Sequence, residues 1–149
     1  MFRDEMLNLF PSDAQAAKLA RQTFMFSEFL VKQARYKPPP LSVKALVHGH
    51  CHQKAMVGTA PTVAALRWAG FEVSEVDSGC CGMAGSFGFE KEHYDISVSL
   101  GNRRLAPAVK AVAADTEVVA PGISCRQQIQ HLAGRRAKHP AEVLRESLA

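Results

Sequence analysis

Four cysteines carry the chemistry available to this chain: Cys51 in HGHCHQKA, the adjacent Cys80 and Cys81 in DSGCCGMAGSFG, and Cys125 in APGISCRQQ. All three stretches contain glycine, which lets a backbone approach a bound group closely and take positive φ. Thiolate is the form of cysteine that binds metal. Four thiolates can hold one zinc ion tetrahedrally or an iron–sulfur cluster. The paired C-x-x-C motifs of zinc knuckles are absent, and so is the bacterial ferredoxin run. Neighbouring cysteines suit a centre wide enough to use two adjacent sulfurs at different atoms, which favours a cluster over a single ion. They are poorly placed to bridge each other without strain. The plain alternative is four small buried side chains with no further role.

The elements that must position these thiols follow from the apolar pattern. Short apolar runs at Val43–Val47, Phe71–Val76 and Glu117–Ala120 read as strands, separated by helical stretches at Thr59–Ala69 and Glu90–Leu105. Gly101 marks a candidate interruption in the second stretch, and Pro107 a candidate start for a further short helix. Gln127–Leu132 and Pro140–Leu148 read as the last helices. The alternation predicts an α/β fold: a small parallel sheet with flanking helices, a Rossmann-like βαβαβ core. Residues 12–34 read as one helix, capped by Ser12 or Asp13. The proline run in YKPPPLS then forms a stiff connector. The predicted organisation is an N-terminal helical arm and connector over residues 1–40 and a cysteine-rich α/β domain over 41–149.

Position makes the cysteines significant. Cys51 falls four residues past the first predicted strand, Cys80 and Cys81 four and five past the second, and Cys125 five past the third. In an open parallel sheet the strand C-termini share one edge, and ligands bind in the crevice there. Three loops therefore deliver four thiols to one region, whereas chance would scatter them. His48, His50 and His52 alternate around Cys51 and, on an extended segment, share a side. His50 and His52 border the cysteine and are the candidate additional ligands. Lys54 and Arg126 follow cysteines closely and read as solvated basic residues or as partners for cluster charge.

The chain has 149 residues with formal net charge +4, and its basic residues are scattered rather than striped. Nucleic-acid binding is not expected. The start carries no signal peptide, and no apolar run is long enough to cross a bilayer. A cytoplasmic location is expected, where cysteines serve more often as ligands than as disulfides.

The segments FRDEMLNLFP, QTFMFSEFL, HGHCHQKA, DSGCCGMAGSFGFEKEHYDIS and PGISCRQQI give the chain a specific likeness. It resembles the cysteine-rich CCG domain of iron–sulfur oxidoreductases. This domain occurs in heterodisulfide reductase, in iron–sulfur subunits of glycolate oxidase and anaerobic glycerol-3-phosphate dehydrogenase, and in lactate-utilisation proteins. The likeness is strongest to the C-terminal domain of FAD-linked oxidases fused to iron–sulfur domains, which oxidise D-lactate, glycolate or D-2-hydroxyglutarate. The resemblance implies that Cys51, Cys80, Cys81 and Cys125 bind a [4Fe–4S]-type cluster or, as in some such domains, zinc. It implies electron transfer, or a cluster at the reacting site; the alternative is a structural zinc module for assembly in the same complex. It also implies FAD on a partner domain outside this chain, and FAD-binding and ferredoxin-like domains or subunits as partners. The chain is then a fragment or a subunit of a larger enzyme, not a complete one. One departure stands out. The family's closing C-x-x-C is here Gly122-Ile-Ser-Cys125, so a fifth cysteine is missing. Four-ligand binding, or recruitment of a histidine, replaces five-cysteine ligation.

Overall fold

The computed structural model describes residues 1–34 and 42–148. The proline run at 36–41 and the predicted boundary between residues 40 and 41 lie outside the described residues.

Three strands form one parallel sheet: β1 (Lys44–Val47), β2 (Glu72–Glu75) and β3 (Glu117–Val119), in the order β2-β1-β3. The central strand reads Lys-Ala-Leu-Val, three apolar residues in a row, because both its faces are covered. Side-chain alternation sorts the strand residues to two cores. Leu46 and Val118 join Val76, Leu105, Val109 and Ile129 on one face. Ala45, Val47 and Val119 join Leu66, Phe71, Val143 and Leu144 on the other. Cys81 and Cys125 belong to the first of these cores.

Helices follow each strand. After β1 come α4 (Cys51–Met56) and α5 (Ala60–Trp68). Pro61 sits in the first turn of α5, where its missing N–H is harmless. The helix ends in a Schellman closure: Gly70 N–H donates to Arg67 O, Phe71 N–H donates to Leu66 O, and Gly70 takes φ +87°. After β2 come α6 (Tyr94–Arg103) and α7 (Leu105–Ala111), then α8 (Ile123–Ala133) and α9 (Pro140–Glu146) after β3. The break between α6 and α7 falls at Arg104, not at Gly101. Gly101 lies inside α6, where a Cβ would meet Leu132 Cδ1 at 2.4 Å and Cys81 O at 3.0 Å. The glycine permits close packing and does not interrupt the helix.

The N-terminal arm is less continuous than its periodicity predicts. It forms α1 (Glu5–Leu9), α2 (Ala14–Gln22), α3 (Phe26–Phe29) and a π-helical turn at Leu30–Ala34. Asp13 caps α2 through the N–H groups of Gln15 and Ala16. The helix stops at Thr23, whose hydroxyl donates to Leu19 O at 2.8 Å. Chain direction resets at Met25, whose N–H donates to the Glu28 carboxylate. Glu28 is buried, and it accepts from Arg3 at 2.6 Å and Lys32 at 2.8 Å. Burial opposes its ionisation, but Lys32, the Met25 N–H and Arg3 together hold its pKa below the usual value. Its stabilisation is therefore present above the unfolded carboxylate range and lost as pH falls through the lowered value. A Glu28→Gln variant is expected to lose about 2 kcal/mol at neutral pH and much less in acid, measured by urea denaturation at the two pH values.

Candidate metal centre

β1 runs directly into the site. The N–H of His48 donates to Val119 O at 2.9 Å, extending the sheet by one residue. His48 lies two residues beyond Leu46 and so points to the same face, towards the core that contains Cys81 and Cys125. Its ring is 1% exposed, and Nδ1 lies 2.9 Å from Ser78 Oγ. Nε2 is buried and has no hydrogen-bond partner among the described residues. One ligand atom each of His48, Cys81 and Cys125 lies within 4.8 Å of the others.

The chain then turns at Gly49, where a Cβ would lie 2.3 Å from Thr59 Cγ2. His50 is the N-cap of α4 and Cys51 its first residue, exposed to solvent. The extended segment expected here is therefore a short helix, and the three histidines diverge. His52 faces Asp4 of the N-terminal arm at 3.5 Å. His50 is half-buried and packs against Gly122, whose Cβ would fall 2.5 Å from His50 Cδ2. Burial lowers the His50 pKa, against the opposing influence of Cys81.

Past β2, the CCG loop folds back under α6. Gly82 takes φ +96° and donates its N–H to Cys80 Sγ at 3.2 Å. Cys80 is half-buried and within hydrogen-bonding reach of Cys51, while Cys81 is buried and within reach of Cys125. Cys125 lies in the first turn of α8, not ahead of the helix as the sequence predicts. The four thiols thus form two pairs, one towards solvent and one in the core. The other three cysteines all influence the Cys125 proton.

The hydrogen bond from Cys125 lowers the Cys81 pKa to about 4 against the effect of burial, helped by His48 and the Met83 N–H. The same hydrogen bond to the Cys81 thiolate, together with burial, pushes the Cys125 pKa far up. Burial also raises the Cys80 pKa, offset in part by the Gly82 N–H. Recruiting all four sulfurs to a cation therefore releases protons, and the cation replaces the positive charge they supplied. Metal affinity is expected to rise with pH, by about tenfold per pH unit for each proton displaced. Titration of the metal-free protein with zinc at two pH values, using a competing chelator, measures this. A pH-independent affinity contradicts it.

The two basic residues near the cysteines serve the backbone. Arg126 donates to Ala120 O and Pro121 O, both at 3.0 Å, and fixes the loop after β3. Lys54 donates to Ser78 O. The donor set fits a metal centre: the sulfurs of Cys81 and Cys125 lie within 4.8 Å of a ring nitrogen of His48, and Cys51 and Cys80, which are not part of that group, pair nearer solvent. Sequence reasoning passes over His48 as a ligand because distance along the chain favours His50 and His52. The alternation Leu46–His48 along β1 is the signal that singles it out.

Known proteins resemble this chain in sequence. The chain is 37% identical over 111 residues to a subunit of the anaerobic glycerol-3-phosphate dehydrogenase of Escherichia coli (strain K12), covering 74% of this chain and 28% of that protein. It is 31% identical over 100 residues to D-2-hydroxyglutarate dehydrogenase of the same strain, covering 66% of this chain and 10% of that protein. The D-2-hydroxyglutarate dehydrogenase of Pseudomonas putida is 30% identical over 97 residues, with 64% of this chain and 9% of that protein covered. The chain thus matches only 28% or less of the length of these relatives. No family model matches it, and no solved structure matches it significantly. With its CCG loop, its paired thiols and these homologues, the chain belongs to the family of FAD-linked and iron–sulfur oxidoreductases.

Proposed function

We propose that this chain is the metal-centre domain of an FAD-linked 2-hydroxy-acid oxidoreductase, and that Cys51, Cys80, Cys81 and Cys125 hold an iron–sulfur cluster of the [4Fe–4S] type. The observation that supports the reading is the buried His48–Cys81–Cys125 group, with the thiols of Cys51 and Cys80 paired nearer solvent. When bound, such a cluster supplies one-electron transfer. The chain's own residues do the rest. Cys81 and Cys125 lie in the apolar core and keep water from one side of the site. Gly82 N–H donates to Cys80 sulfur, and hydrogen bonds of this kind raise a cluster's potential. Cys51 and Cys80 face outwards, the side from which a partner can exchange electrons.

The partners in this reading are FAD-binding and ferredoxin-like domains or subunits of the parent oxidoreductase, with electrons passing from the flavin. The names of the relatives support this dehydrogenase context. A reducing compartment, the cytoplasm, keeps the thiols available. No helix among the described residues is long and apolar enough to cross a membrane.

A redox titration of protein loaded with iron and sulfide under anaerobic conditions tests the reading. A reversible one-electron change, seen by absorption and electron paramagnetic resonance, is expected. Loaded protein that neither takes up nor returns an electron over the accessible range contradicts the electron-transfer role. It favours a structural centre, for which the nitrogen and sulfur donors here also suit zinc.

A further inference from the structure

We propose that His48 Nε2 is a ligand of the metal centre, so that the site combines one imidazole with cysteine sulfurs, and that Ser78 is the positioning residue that holds the ring. This rests on the metal-binding reading above and assigns a donor that the CCG cysteines do not include.

Burial is the first argument. A ring 1% exposed, with one nitrogen unpartnered, leaves a polar atom in an apolar core unless something binds it. Geometry is the second: a ring nitrogen of His48 converges with the sulfurs of Cys81 and Cys125, from two other loops, within 4.8 Å, and Nδ1 is the nitrogen engaged by Ser78. The third is the opposite side of the ring. Metal-bound histidines regularly use their second nitrogen to donate to an oxygen, which fixes tautomer and orientation. Here Nδ1 lies 2.9 Å from Ser78 Oγ, and Ser78 is itself buried and fixed by its backbone, its N–H donating to Val76 O. With Nδ1 as donor, Nε2 presents a lone pair to the site.

The crowding at Gly122 supplies the fourth argument. At Gly122 any Cβ would lie 2.5 Å from His50 Cδ2 and 3.1 Å from Cys125 Sγ. The His50 ring therefore occupies the room that a side chain at 122 would need. A fifth sulfur cannot enter from that position, whereas a nitrogen already faces the inner pair from the end of β1. Replacing a thiolate by a neutral imidazole removes one negative charge, which favours the reduced form of an iron–sulfur centre and raises its potential.

The test uses the full chain, metal-free, with Co²⁺ alone as probe under anaerobic conditions. Wild type, His48→Ala, Ser78→Ala and His50→Ala are compared, with folding checked by circular dichroism. Wild type is expected to show thiolate-to-cobalt absorption and a strongly shifted, exchangeable ring N–H proton in the NMR spectrum. That proton should vanish in His48→Ala and persist in His50→Ala. Ser78→Ala should weaken Co²⁺ binding by about 10- to 100-fold. The proposal is overturned if the shifted proton survives in His48→Ala, if it is absent from wild type, or if wild type binds no Co²⁺. It is also overturned if His48→Ala binds Co²⁺ as tightly as wild type. Should His48→Ala fail to fold, the wild-type proton and the Ser78→Ala affinity decide. Iron and sulfide uptake in parallel separates this proposal from the cluster reading. Uptake without a shifted proton leaves the cluster and removes His48; a shifted proton without uptake retains His48 and removes the cluster.

Discussion

A Cys81→Ser variant is expected to lose the metal centre while keeping the fold. Cys81 is 3% exposed, at the point where the CCG loop meets the core. Its pKa is lowered by the neighbouring Cys125 thiol against the effect of burial. Cys81 also lies in the buried His48–Cys81–Cys125 group. A serine hydroxyl is a poor ligand for a soft metal site. Metal retention after gel filtration with chelator is expected to fall by at least about tenfold. A hydroxyl in that core destabilises the metal-free protein by only about 1 kcal/mol. Cys51→Ser, at an exposed position, should retain more metal than Cys81→Ser. Equal retention in wild type and Cys81→Ser contradicts the assignment.

The second large effect is steric. Gly82 has φ +96°, and a Cβ there would lie 2.2 Å from Ser97 O and 3.1 Å from Gln128 Nε2. Ser97 O is backbone inside α6 and cannot yield without moving the helix. Gly82→Ala is expected to destabilise the metal-free protein by about 3 kcal/mol, combining left-handed strain with displacement of the loop. Two neighbours calibrate this. Gly85 has φ +70° but open space around a Cβ, so Gly85→Ala carries strain alone, about 1 kcal/mol. A Cβ at Gly79 meets nothing within 4 Å and has no positive φ, so Gly79→Ala should be near neutral. Urea midpoints for the three variants check the ranking. A Gly82→Ala protein as stable as wild type contradicts the packing of the CCG loop against α6.

The sheet is legible in the sequence because its central strand is buried on both faces and reads as a short apolar run. The ends of these strands mark the loops that carry the cysteines, but the pairing of Cys51 with Cys80 and of Cys81 with Cys125 has no signal in the spacing. Helix α4 is not legible, because Cys-His-Gln-Lys-Ala-Met has no apolar periodicity. Tertiary contacts hold it instead, including the bond from Gln53 Nε2 to Thr62 Oγ1 at 2.9 Å. The arm departs from its pattern for the opposite reason. Its apolar spacing continues through Thr23–Met25, but the Thr23 hydroxyl and the Glu28 carboxylate capture backbone groups there. These departures lie where a polar side chain or a packed glycine overrides local pattern, and sequence periodicity does not register such contacts.

The central claim is that the converging cysteines hold an iron–sulfur centre. The most direct test is iron, acid-labile sulfide and zinc per chain, with the visible absorption spectrum, on protein purified and reconstituted without oxygen beside its Cys81→Ser variant. Matching iron and sulfide with a broad visible band in wild type, and neither in the variant, is the predicted result. Stoichiometric zinc with no uptake of iron or sulfide contradicts it.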